Sequence, residues 1–84
     1  MGRYRKKPYP KNSDIEKAII QVLSFFPLLS PDDFPQKVRI QLNEKGFYSG
    51  LVTNKRVWRL YENLVRKGKI FDVLMVVKGY GADL

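Results

Sequence analysis

The chain has 84 residues, room for one domain and one small core, and carries sixteen Lys and Arg against eight Asp and Glu, a formal charge of +8. It contains neither cysteine nor histidine, which excludes disulfides and thiolate metal sites and removes the commonest metal ligand and general base. The basic excess points to a polyanionic partner, bound by release of counterions from phosphates. No apolar run approaches the ~20 residues of a membrane span, and no signal-type stretch follows the basic start.

The charge is concentrated in two places. Residues 1–11 carry Arg3, Arg5, Lys6, Lys7 and Lys11 and no acid, and residues 53–69 carry six cations against Glu62 alone, while the rest is net negative. Residues 1–12, with Pro8 and Pro10, read as an extended basic arm ahead of a domain spanning 13–84. Ser13 is a suitable N-cap, and Asp14 and Glu16 suit the positive end of a helix. Ile15, Ala18, Ile19, Val22, Leu23 and Phe26 recur at helical spacing until Pro27, which predicts a first helix over 13–26. Leu28–Leu29 is a candidate one-rung strand. Ser30-Pro31-Asp32-Asp33 is a second helix start, and Lys45-Gly46 a stop, giving a helix over 31–45 with Phe34, Val38 and Leu42 inward and Ile40 off that face. After a connection over 47–52 with a turn at Gly50, Thr53 caps a third helix over 53–67 that Gly68 closes. Ile70 to Val77 is β-branched and apolar and predicts one strand or two short ones, followed by a turn-prone Lys78 to Gly81.

The third helix carries the most information. Val57, Leu60, Tyr61, Leu64 and Val65 form a buried stripe at i, i+3, i+4, i+7, i+8. Lys55, Arg59, Glu62 and Arg66 fall opposite, with Asn54 and Arg56 flanking the first turn and Trp58 at the edge, partly buried. A solvated surface helix could carry the same face, but its position and the net charge favour insertion into a nucleic-acid groove. Glu62 argues against deep insertion of the second half, and Arg66 and Lys69 can pair with Glu62 or Asp72 instead. Ser49, Thr53 and the free N–H groups that begin the helix suit phosphate, and equally suit capping and turn formation. Arg3, Arg5, Lys6 and Lys7, interleaved with Tyr4 and Tyr9, would lie along a groove or across phosphates.

From Leu29 to Ile70 the order of elements resembles the winged helix-turn-helix domain. "LLSPDDF…KVRIQLNEKG" resembles its second helix, and "VTNKRVWRLYENLVRKGKI" its recognition helix running into the first wing strand. Small, basic, cysteine-free members of archaea and of their viruses and plasmids are similar in character. The resemblance implies an α+β fold of three helices with a short C-terminal β-hairpin. That wing is abbreviated, since it turns either near Asp72 or at Lys78-Gly79 with Tyr80–Leu84 returning. It implies that Asn54, Lys55 and Arg59 face base edges or phosphates in the major groove, with Arg56 and Thr53 on the backbone. The connection between helices 2 and 3 is longer than in a tight helix-turn-helix.

The expected function is double-stranded DNA binding by a small transcriptional regulator or chromatin-type protein, cytoplasmic and nucleoid-associated. A homodimer would suit half-sites one helical turn apart. Two alternatives use the same charge or fold: an RNA- or ribosome-associated basic domain, or a protein-interaction winged helix exposing Ile40, Trp58 or the C-terminal strand. No catalytic residue, cofactor, metal or membrane contact is expected, because Asp32-Asp33 is explained as a helix start and no phosphate loop is present.

Overall fold

A computed structural model of the chain describes residues 7–77. α1 (Asn12–Phe25), α2 (Phe34–Glu44) and α3 (Asn54–Arg66) each pack against the other two, and a 3-10 turn, Pro31–Asp33, leads into α2. Among the described residues there is no β-strand. The expected α+β fold with a C-terminal hairpin is therefore corrected to an all-helical one. The predicted turn at Lys78 to Gly81 and the return over Tyr80–Leu84 lie outside the described residues. No helix among those described is long and apolar enough to cross a membrane.

The core forms where the three helical stripes meet. Ile15, Ala18, Ile19 and Val22 of α1, Phe34, Val38 and Leu42 of α2, and Val57, Leu60, Tyr61, Leu64 and Val65 of α3 are buried together with Val52 and Leu74. Phe26, expected on the inner stripe of α1, lies past its end and is exposed, with Lys37 Nζ 4.7 Å above its ring.

Helix boundaries follow from hydrogen bonding. The N-cap of α1 is Lys11 and not Ser13, because the Asp14 carboxylate reaches back to accept from the Lys11 N–H at 2.9 Å. The predicted helix over 31–45 is split because Pro35 has no N–H to give the Pro31 carbonyl. The Phe34 N–H takes that carbonyl instead, closing a 3-10 turn. Both α2 and α3 end at a left-handed glycine, Gly46 at φ +93° and Gly68 at φ +75°. In each, paired bonds return the freed carbonyls: Phe47 N–H to Leu42 O at 3.0 Å, and Lys69 N–H to Leu64 O at 2.9 Å. Leu28 is in a turn closed by Leu29 N–H to Phe26 O at 3.1 Å, and is 96% exposed, so the one-rung strand is also absent.

Asp72 explains why 70–77 is not a strand. Its Oδ1 accepts from Tyr61 Oη at 2.6 Å and from the Val76 N–H at 3.1 Å, and its Oδ2 accepts from the Val77 N–H at 2.9 Å. The Leu74 N–H donates to Tyr61 Oη at 3.1 Å, and Met75 takes a left-handed φ of 58°. A side chain that captures nearby N–H groups folds the segment into a turn before a ladder can use them. The turn buries Leu74 to 8% exposure and turns Phe71 and Met75 outward.

Burial alone would raise the Asp72 carboxyl, but the hydrogen bonds from Tyr61, Val77 and Val76 outweigh it and hold its pKa below the ordinary value. Burial first, and then Asp72, push the Tyr61 phenol upward, so it stays neutral. A depressed carboxyl contributes stability above its unfolded pKa, near ~4, and that contribution is lost as pH falls through the lower folded value. Acid below about pH 4 is therefore expected to loosen this turn. The Val76 and Val77 amide NMR shifts should then move toward random-coil values, as Asp72→Ala should make them do at neutral pH. Shifts that stay fixed in both cases would remove Asp72 from this role.

Candidate nucleic-acid interface

Burial of the Val57–Leu60–Tyr61–Leu64–Val65 stripe fixes the rotation of α3 about its axis and sets the opposite face toward solvent. Lys55 and Arg59, four residues apart on that face, are exposed and have no hydrogen-bond or ion-pair partner among the described residues. One turn further on, Glu62 accepts from Arg66 Nε at 2.7 Å, so the second half of the face is partly neutralised. The first half is the cationic one.

Thr53 caps the helix, its Oγ1 accepting from the Arg56 N–H at 3.1 Å. Ser49, assigned to phosphate on sequence grounds, is only 5% exposed, in a turn where its carbonyl accepts from the Val52 N–H at 3.1 Å. Little of the residue is therefore open to a phosphate. A Cβ on Gly50 would fall against the Tyr48 ring, so glycine here leaves room for that side chain.

Asn54 is exposed but not free. Arg39 of α2 donates through Nη1 to Asn54 Oδ1 at 2.7 Å and to the Val52 carbonyl at 3.1 Å. Its Nε and Nη2 donate to Gln36 Oε1 at 3.3 and 3.0 Å. A guanidinium has donors only, so the oxygen of Asn54 must face it and the amide NH2 is left for an outside acceptor. The bidentate adenine pairing needs the oxygen as well as the NH2. Held this way, Asn54 is better suited to guanine N7 or O6, or to phosphate. Arg39 is a further residue of this surface that the local pattern of α2 does not mark, since Val52 and Asn54, the two partners that bring it there, lie in a different segment.

Arg56 is also engaged. Its Nε and Nη2 donate to Asn12 Oδ1 at 3.2 and 2.9 Å, and Nη2 donates to the Pro10 carbonyl at 3.3 Å. The guanidinium expected on a phosphate instead holds the segment ahead of α1. That segment has a second attachment, where the Tyr48 N–H donates to the Pro8 carbonyl at 2.8 Å and the rings of Tyr9 and Tyr48 meet at 5.6 Å. Pro10 is buried, while Lys7, Tyr9 and Lys11 are exposed. Of the arm cations, Lys7 and Lys11 are therefore placed on this side of the domain; Arg3, Arg5 and Lys6 lie outside the described residues.

Trp58 is half-buried, its ring 5.1 Å from Phe34 and 5.6 Å from Tyr61, with Val76 and Val77 beside it in a shallow recess. It closes the core, but against the Asp72 turn and not against a wing. Ile40 is exposed on α2, and Phe71 and Met75 on the C-terminal turn. Compared with family models, with curated proteins and with solved structures, the chain matches none of them.

Proposed function

We propose that the protein is a duplex-DNA-binding module of helix-turn-helix type, a binding protein and not an enzyme, serving as a small transcriptional regulator or chromatin-type protein. The N-terminal half of α3 enters the major groove, and the basic arm follows the adjacent backbone. The observation that carries this is the Lys55–Arg59 pair, exposed and unpartnered among the described residues, on a helix whose other face is locked in the core. Arg59 has the length and the fork to reach guanine, and Asn54, in the first turn, keeps its NH2 for an outside acceptor. Lys55, Lys7 and the start of α3 supply phosphate contacts.

Affinity then comes mainly from phosphate neutralisation. With roughly 4–6 contacts per protomer, log K should fall against log salt with a slope of about −4 to −5. Fluorescence-anisotropy titrations of a duplex, its single strands and a structured RNA of equal length, at two salt concentrations, measure this, and light scattering gives the protomer count. Tighter binding to the RNA would transfer the surface to an RNA partner. Negligible binding to all three at physiological salt would leave only a protein partner.

A further inference from the structure

Resting on the duplex-binding reading, we infer that Arg56 is a clasp and not a phosphate contact. It fastens the basic segment ahead of α1 beside the first turn of α3, so that residues 7–11 and the Lys55–Arg59 face form one surface along a single sugar–phosphate backbone.

Two attachments, two residues apart, define the clasp. The Tyr48 N–H holds the Pro8 carbonyl at 2.8 Å, and Arg56 holds the Pro10 carbonyl at 3.3 Å together with Asn12 Oδ1 at 2.9 Å. Both backbone acceptors belong to prolines, which bring no N–H of their own to satisfy and fix φ in an extended conformation. With these two carbonyls turned to the domain and Pro10 buried, the residues flanking it, Tyr9 and Lys11, remain exposed, as does Lys7. Arg56 lies one and three residues along α3 from Lys55 and Arg59, so the segment it holds runs beside their face. A charged segment held in place before it meets DNA avoids part of the ordering cost that a free tail would incur on binding. Arg56 is thus a positioning residue, and its effect on DNA passes through the arm.

Arg56→Lys separates the alternatives. Lysine keeps the charge a phosphate contact needs, but a single ammonium cannot reproduce the fork onto Asn12 and Pro10. In the free protein, amide exchange at Tyr48 should accelerate by about tenfold in both Arg56→Ala and Arg56→Lys, and stay unchanged in Arg59→Ala. On a duplex, Arg56→Lys should weaken binding about as much as Arg56→Ala, roughly fivefold, and either change combined with Lys7→Ser/Lys11→Ser should lose little beyond the serine variant alone. An unaltered Tyr48 exchange rate overturns the clasp whatever the protein binds. If Arg56→Lys binds duplex like the unmodified chain, or if the losses multiply, Arg56 touches phosphate and the inference fails. If Tyr48 exchange responds as expected but the unmodified protein ignores duplex, the clasp stands, while the DNA reading and the shared surface fall.

Discussion

Phe34→Ala is expected to destabilise the domain by about 3–5 kcal/mol, the usual loss for a fully buried phenylalanine. Phe34 is completely buried, and its ring lies 5.1 Å from Trp58 and 5.4 Å from Tyr61, the latter edge-on. It is also the first residue of α2, placed by the 3-10 turn that Pro35 imposes. Truncation would open a cavity where α2 meets α3, between two large rings anchored elsewhere, Tyr61 by Asp72 and Leu74 and Trp58 by its own helix. Such a site collapses poorly, which puts the loss toward the upper end of the range. A domain of this length holds only about 4–12 kcal/mol in total. The melting temperature should therefore fall by roughly 15 °C or more in circular dichroism. Emission from Trp58 should shift red in the same transition. Phe25→Ala, on the exposed end of α1, serves as the control and should move the midpoint by no more than a few degrees. Equal shifts for the two variants would mean that Phe34 is not a core residue.

The same contrast marks what was legible in the sequence. The three helices were readable because each places apolar residues at a single period, and all five stripe positions of α3 are buried as that period requires. The glycine stops at 46 and 68 were readable because the left-handed position at a helix end has a strong residue preference. The segment over 70–77 misled because β-branched residues report compatibility with a half-buried surface and not the presence of a partner strand. The one contrary signal was Asp72 within an apolar run, a residue whose carboxylate can take local N–H groups. It can be recognised afterwards, but a single carboxylate gives no hint that a tyrosine eleven residues earlier will join it. The candidate site divides in the same way. Exposure of Lys55 and Arg59 followed from helical geometry. The diversion of Arg56 to Asn12, 44 residues away, and of Asn54 to Arg39, 15 residues away, depends on how segments pack, which no local spacing encodes.

The second large effect belongs to those two exposed cations. Reversing both, Lys55→Glu with Arg59→Glu, is expected to weaken duplex binding by at least about 100-fold at 0.1 M salt, since two favourable phosphate or base contacts become two repulsions at groove distance. Stability should be nearly untouched, because neither side chain has a partner among the described residues whose loss would matter. That separation distinguishes a binding face from a structural one. The control carries the same change of net charge at other places, Lys17→Glu on α1 with Lys45→Glu at the end of α2, both exposed. If affinity came only from overall charge, the two variants would weaken equally. If α3 lies in the groove, the control should lose only the few-fold long-range contribution that salt screens. The salt slope discriminates further, falling by roughly two for the α3 pair and by well under one for the control. Equal affinities and equal slopes for the two variants, with both still folded, would take α3 out of the groove and leave the arm as the sole contact.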